Sequence, residues 1–421
     1  MKPILNLAVV GEAWHGKSTL IGRLLHELGQ VSGKLVERMA GLARQLGLEG
    51  SCYAFIIDTG LEERRRGHTL DLSAWRPLDL GPFRVKLINM PGLLKYIGNA
   101  VPGISQADAA LVVLSAPDIT KQGELLGLRE HLALCSAFGV EQAVMAVNKM
   151  DLVSYKRDAF EKAVEFCENL LDELGYRPKA IFVPISALRG ENLTAPSSEM
   201  PWHDGPTLLE AIKSLEVPER PNDKPLRLPV HRYYDAARAA AGVIRSGILR
   251  PGDDVLVLPV GAVGHVESVQ SWGRELELAG PGDDVGVRLA GVARYDLKKG
   301  SVICGPEGAP RVAKLVEARV RVLGPLELRA GSCPLLCCHE ASVPARVEHL
   351  WGEGGREVKA LASGEVGECL LKPLAPERKG LIIEPVSGVR SMGLFALRMG
   401  VGDLPGALTV AIGECTGVSG S

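Results

Sequence analysis

Gly11-Glu12-Ala13-Trp14-His15-Gly16-Lys17-Ser18-Thr19 sets two glycines, a lysine and a hydroxyl at the spacing G-x-x-x-x-G-K-[S/T]. That order suits phosphate. The glycines let backbone N–H groups close around phosphate oxygens, Lys17 reaches the β- and γ-phosphates, and the Ser18 hydroxyl is placed to bind Mg²⁺. The motif is informative only between a strand and a helix. Here an apolar run, residues 5–10, precedes it, and a helical pattern, residues 19–25, follows. The loop would open at a helix N-terminus, which adds positive potential.

Asn148-Lys149-Met150-Asp151 forms a second cluster, at the end of the apolar run 143–148. A carboxylate there can accept from both the ring N–H and the exocyclic amine of guanine. Adenine lacks that donor pair. A four-residue string recurs by chance, but a strand end is where α/β proteins bind ligands. Ser186-Ala187-Leu188 follows the next apolar run, 181–185, and would cap the base with a backbone N–H.

These residues need a frame. Runs 5–10, 85–89, 109–114, 143–148 and 181–185 are nearly continuous in Val, Ile, Leu and Ala, as strands covered on both faces should be. Between them lie helical patterns, such as Phe160, Ala163, Val164, Cys167, Leu170, Leu171 and Leu174. Alternating β and α predicts an α/β domain on a mostly parallel sheet. Residues 217–225 are a Pro-rich charged linker. Beyond them helical patterns give way to short Val-rich runs. Pro251-Gly252-Asp253-Asp254 and Pro281-Gly282-Asp283-Asp284 look like a repeat but read better as turns between barrel strands. The expected division is 1–222 for the nucleotide domain, then β-barrels at 223–311 and 312–421.

Composition agrees with that plan. The chain has 421 residues, 46% of them hydrophobic, with 49 glycines and 27 prolines. Net charge is −2, so no global field draws in nucleic acid. No secretion leader is visible, and no apolar run reaches the ~18 residues of a membrane span. A soluble, cytoplasmic monomer with no membrane partner is expected. Nine cysteines are scattered. Cys333, Cys337, Cys338 and His339 invite a zinc reading. An apolar strand explains them better, because adjacent cysteines point to opposite faces and no second CxxC pair exists.

The motifs together resemble the archaeal and eukaryotic elongation factor 1-alpha family. Residues 15–25 are similar to its first motif, and Asp58-Thr59 through Glu62-Glu63-Arg64-Arg65-Arg66-Gly67-His68-Thr69 to its switch I. Ser105-Gln106-Ala107-Asp108, residues 148–152, Met200-Pro201-Trp202 and residues 205–210 match as well. Residues 224–230 resemble the start of the second domain. The resemblance implies a P-loop GTPase domain followed by two β-barrel domains, using GTP/GDP and Mg²⁺. It implies delivery of tRNA or a tRNA-mimicking protein to the ribosome. On that reading Thr69 binds Mg²⁺ and senses the γ-phosphate.

The departures from the family pattern gather at that phosphate. The family's Asp-x-Pro-Gly-His reads Asn89-Met90-Pro91-Gly92-Leu93. Asn89 stands where a carboxylate helps hold Mg²⁺, and Leu93 where a histidine positions the attacking water. Pro91 and Gly92 keep the switch II hinge. Glu12 and Trp14 replace the usual His and Asp of the loop. In the barrels, Val243 and Arg245 occupy the Arg and Glu positions of a tRNA-end motif, and Leu394 replaces an Arg. GTP binding with weakened hydrolysis is the expectation. The alternatives are a GTP-dependent module for a protein partner and the GTPase subunit of a sulfate-activating enzyme.

Overall fold

The computed structural model describes residues 2–119, 125–324, 326–375 and 380–420. The chain divides into two units: Met1–Gly103, Ala107–Cys135 and Val140–Val217 form the first, and Ile104–Gln106, Ser136–Gly139 and Pro218–Ser421 the second. Among the described residues, no helix is long and apolar enough to cross a membrane.

The first unit is built on one sheet. Its strands are β1 (Ile4–Val10), β2 (Ser73–Ala74), β3 (Leu78–Asp79), β4 (Arg84–Asn89), β5 (Ala109–Ser115), β6 (Gln142–Asn148) and β7 (Lys179–Pro184). They lie in the order β2-β4-β1-β5-β6-β7, with β3 also on β4. β1 runs parallel to β4 and β5, β5 to β6, and β6 to β7. β1 and β5 are buried along their whole length, which is why both faces are apolar. The sequence pattern finds the five parallel strands to within two residues at each end. It misses β2 and β3, which are two residues long and show no periodicity; they run antiparallel to β4.

Parallel strands all point one way, so β1, β4, β6 and β7 deliver their following loops to one edge of the sheet. Val9 lies beside Asn89, and Ser115 beside Asn148. The helix α1 (Lys17–Glu27) follows β1 and buries Leu20, Ile21, Leu24 and Leu25. The pattern near Phe160 is a helix over Arg157–Glu173 that buries Ala163, Cys167, Leu170 and Leu171.

The second unit holds two barrels. The first contains β8 (Arg227–Tyr234), β9 (Ala239–Val243), β10 (Asp254–Leu258), β11 (Ala262–Ser271), β12 (Arg274–Leu276), β13 (Asp284–Ala290) and β14 (Val302–Cys304). The ring β10-β14-β8-β9-β13-β11 closes through pairing of β10 with β11. Of the later strands, β15 (Val312–Val322), β16 (Leu328–Arg329), β17 (Leu335–Cys338), β18 (Ala341–Trp351), β19 (Ala360–Leu361), β20 (Val366–Pro373), β21 (Leu381–Ile382), β22 (Leu394–Gly400) and β23 (Ala407–Gly420), six close a second ring. It runs β20-β18-β17-β22-β23-β15 and shuts through β15 with β20. Closure leaves no open edge on either ring.

The two Pro-Gly-Asp-Asp strings are turns. Gly252 and Gly282 have φ of 94° and 93°, in the left-handed region glycine favours. In each, an Asp carboxylate accepts from a backbone N–H three residues earlier: Asp253 from Arg250 at 2.7 Å, Asp283 from Gly280 at 2.9 Å. Cys337 and Cys338 lie buried in β17, and Cys333 is exposed outside it. His339 is buried, with Nε2 2.7 Å from the Ile382 carbonyl and Nδ1 accepting from Glu340 N at 2.7 Å. Both ring nitrogens are therefore engaged by backbone.

Candidate functional site

The phosphate loop leaves β1 at Gly11, where φ is +135° and an added Cβ would lie 2.3 Å from the Val113 carbonyl of β5. Gly16, at φ +95°, is the N-cap of α1. Trp14 takes a positive φ of 61° without being glycine, an uncommon conformation for a bulky residue. Lys17 Nζ donates to the carbonyls of Gly11 at 2.8 Å and Glu12 at 2.7 Å, spanning its own loop. Burial brings its pKa down to about 8, opposed by Glu12 and Asp58. Lys17, Ser18 and Thr19 line a cavity of about 200 Å³ together with Asp58, Thr69 and Gly92.

On one side of this cavity four polar side chains meet. Thr69 Oγ1 donates to Asp58 Oδ1 at 3.0 Å and lies 3.2 Å from Ser18 Oγ. Asn89, at the end of β4, turns its Nδ2 toward Ser18 Oγ at 3.1 Å, Thr69 Oγ1 at 3.3 Å and Asp58 Oδ1 at 3.4 Å. Burial pushes the Asp58 carboxyl up to about 6, against hydrogen bonds from Ser18 and Thr69. Asn89 is 1% exposed, and its Oδ1 has no hydrogen-bond partner among the described residues. A buried acceptor without a donor is costly and marks a place where another group belongs.

The other side of the cleft is held by Asn148. Its Nδ2 donates to the His15 carbonyl at 2.8 Å, and its Oδ1 accepts from Ala187 N at 2.9 Å. One amide thus ties the phosphate loop to the turn after β7. Ser186 Oγ donates to Asp151 Oδ1 at 2.7 Å, fixing the carboxylate the sequence pattern singles out. Lys149 sits at φ 63° with Nζ 3.5 Å from Asp118. Leu188 is exposed, and its carbonyl accepts from Arg23 at 3.0 Å. His15 is buried, donates from Nδ1 to the Val113 carbonyl at 3.1 Å, and is held neutral by burial and by Lys17, which bring its pKa to about 4.

A family profile described as the elongation factor Tu GTP binding domain matches residues 2–218. The chain belongs to this GTP-binding family. Over 416 residues it is 38% identical to elongation factor 1-alpha of Pyrobaculum aerophilum, across 94% of this chain and 92% of that protein. Over 431 residues it is 34% identical to elongation factor 1-alpha of Methanosarcina acetivorans, covering 99% and 98%. Among solved structures, the Saccharomyces cerevisiae Ski7 GTPase-like domain bound to GTP matches with a TM-score of 0.78 at 16% identity, over 99% of this chain and 97% of that one. Translation elongation factor SelB of Methanococcus maripaludis, in complex with a GTP analogue, matches with 0.71 at 17% identity, over 100% and 80%. At such identities the structures share the fold: a P-loop GTPase domain followed by two β-barrels.

Within this elongation factor Tu-type domain, the departures are not equivalent. Glu12 accepts through its carboxylate from Ala13 N at 3.2 Å within the loop, and from Gly127 N at 2.7 Å and Leu128 N at 3.1 Å. It caps the helix Leu126–Ala137. Trp14 is 63% exposed. Pro91 is buried, and Gly92 presses on the loop: a Cβ there would lie 2.4 Å from Lys17 Nζ. Leu93 is half-buried, offers no polar side-chain atom, and is followed by the 3₁₀ turn Leu94–Asn99. Asp58, which the sequence places in the switch I resemblance without a role, is drawn into the cluster with Ser18, Thr69 and Asn89. It closes the apolar string Phe55-Ile56-Ile57, and a lone carboxylate in that setting was the available signal.

Proposed function

We propose that this chain is a GTP-switched translation factor that selects guanine by the ordinary family arrangement and hydrolyses GTP slowly. The contrast between an ordered Asp151 and an apolar Leu93 carries the reading. Asp151, steadied by Ser186, is free to accept the two donors of guanine. Ala187 and Leu188 close over the base, and Gly11 to Thr19 wrap the phosphates with Lys17 on the terminal pair.

Mg²⁺ fits the opposite wall. Ser18, Thr69 and Asp58 offer hard oxygen donors, as Mg²⁺ requires, and the orphaned Asn89 Oδ1 faces no protein donor. When bound, Mg²⁺ supplies neutralisation of phosphate charge. Asp58 brings the negative charge that Asn89 lacks. Leu93 cannot hydrogen-bond water, so the γ-phosphate loses the group that orients the nucleophile, a deficit of roughly 10²–10⁴-fold.

Delivery of tRNA or a tRNA-mimicking protein to the ribosome is the corresponding cellular role, in the cytoplasm, with domain limits at 1–222, 223–311 and 312–421. The barrels favour the protein cargo. Arg245 is buried and lies 3.8 Å from Glu340, and Val243 and Leu394 are buried too. None of the three offers a polar group to a tRNA end. Co-purification from the native cell separates the cargoes.

The test is filter binding of GTP against ATP, followed by single-turnover GTP hydrolysis with and without ribosomes. GTP bound in preference to ATP and hydrolysed well below the rate of a His-bearing relative supports the reading. An ordinary ribosome-stimulated rate sinks the claim of slow hydrolysis.

A further inference from the structure

We infer that His68 is the catalytic residue that orients the attacking water, in place of the histidine missing at Leu93; this rests on the GTP-hydrolase reading above. His68 lines the same cavity as Lys17, Thr69 and Gly92. It directly precedes Thr69, whose hydroxyl belongs to the Ser18–Asp58–Asn89 cluster. Leu93, next to Gly92 in the chain, has no polar side-chain atom, so His68 is the imidazole that lines this cavity.

The ring is held for the task. Nδ1 lies 3.1 Å from the Arg66 carbonyl, which can only accept, so Nδ1 carries the proton. Nε2 is the ring nitrogen left over, and no protein group bonds it among the described residues. Two aromatic side chains fix the plane. Tyr96 stacks on it with centroids 6.1 Å apart at 25°, and Trp14 meets it edge-on at 6.1 Å and 73°. These partners come from the turn after Gly92 and from the phosphate loop, so the loop, switch I and switch II segments converge on one imidazole. Trp14, one of the departures from the family, thereby meets His68 directly.

The neighbouring imidazoles are committed elsewhere. His15 is buried and turned to the Val113 carbonyl. His131 Nδ1 accepts from Gly11 N at 3.2 Å. In the step assigned to His68, Nε2 accepts a hydrogen bond from water. The water oxygen forms a bond to the γ-phosphorus while the bond from that phosphorus to the bridging oxygen breaks. The bond's electron pair leaves with GDP. The water proton passes to a γ-phosphate oxygen and on to solvent, giving GDP and inorganic phosphate.

The experiment compares wild type, H68L and H68Q in single-turnover hydrolysis of GTP with ribosomes, beside titration with a fluorescent GTP analogue. H68L keeps the bulk and removes the acceptor; its rate should fall about 10-fold or more with GTP affinity unchanged. H68Q, which can still bond a water, should keep more of the rate than H68L. Equal rates for wild type and H68L overturn the assignment. So does a wild type that holds GTP and never cleaves it, although GTP binding then stands. A protein that binds no GTP takes both readings down.

Discussion

At the base side of the cleft, Asn148 links His15 to Ala187 and Ser186 holds Asp151. At the terminal-phosphate side, Ser18, Asp58, Thr69 and Asn89 share hydrogen bonds among themselves, and Asn89 Oδ1 has none. The base side carries Asn148, Lys149 and Asp151 at the N-K-x-D spacing. The phosphate side has lost a carboxylate at 89 and an imidazole at 93, and it presents a carboxylate at 58 and an imidazole at 68. Asp58 and His68, both on switch I, line the same cavity as Lys17, Ser18 and Gly92. Substitutions in a site assembled from several loops therefore have to be judged by the cavity, not by the motif position.

The largest expected effect probes the intact side. Asp151→Asn removes the acceptor for two guanine donors, and GTP affinity should fall roughly 10²–10³-fold. Titration with a fluorescent GTP analogue measures it; an unchanged affinity breaks the comparison, because the base side would then not be what selects the ligand. On the altered side, Leu93→His should raise ribosome-stimulated single-turnover hydrolysis by about 10–100-fold. Next comes the charge at 58. Asp58→Asn should weaken Mg²⁺-dependent retention of GTP about 10-fold or more, as changes beside metal ligands do. Asn89→Asp should strengthen it by less, since its carboxylate would face Asp58 across a buried space. If Asp58→Asn has no effect, the two carboxylate positions are not interchangeable.

The smallest effect lies at the joint between the sides. The pKa of His15 is depressed to about 4 in the folded chain. Its contribution to stability is complete above the unfolded value near 6.5 and is lost as pH falls from there toward 4. Between pH 7 and pH 5.5 the loss should be about 1 kcal/mol. Denaturant midpoints at the two pH values, with His15→Gln alongside, would show it as a shallower pH dependence in the variant.

Much of this was legible in the chain itself. The five parallel strands are apolar on both faces, and the loop and base motifs sit directly at their ends, so contiguous residues determine them. β2 and β3 escape because two residues carry no period. Asp58 and His68 are visible as part of the switch I resemblance, but the places of their side chains are not. Their roles depend on where switch I folds back onto Ser18 and Gly92, which pairs residues far apart in sequence, and no local pattern encodes that return. The side-chain role of Glu12 is hidden likewise, since its partners lie beyond position 120.

Glu12 has one more consequence. Its carboxylate joins the phosphate loop to Gly127 and Leu128, 115 and 116 residues farther along. Gly127 also packs against Gly92, where an added Cβ would stand 2.3 Å from the Gly92 carbonyl. Loop, hinge and helix are pinned at one point, like three spokes on an axle. A shift of the loop would strain the Glu12 bonds to the first turn of Leu126–Ala137, and a side chain at Gly127 would push on the hinge at Gly92.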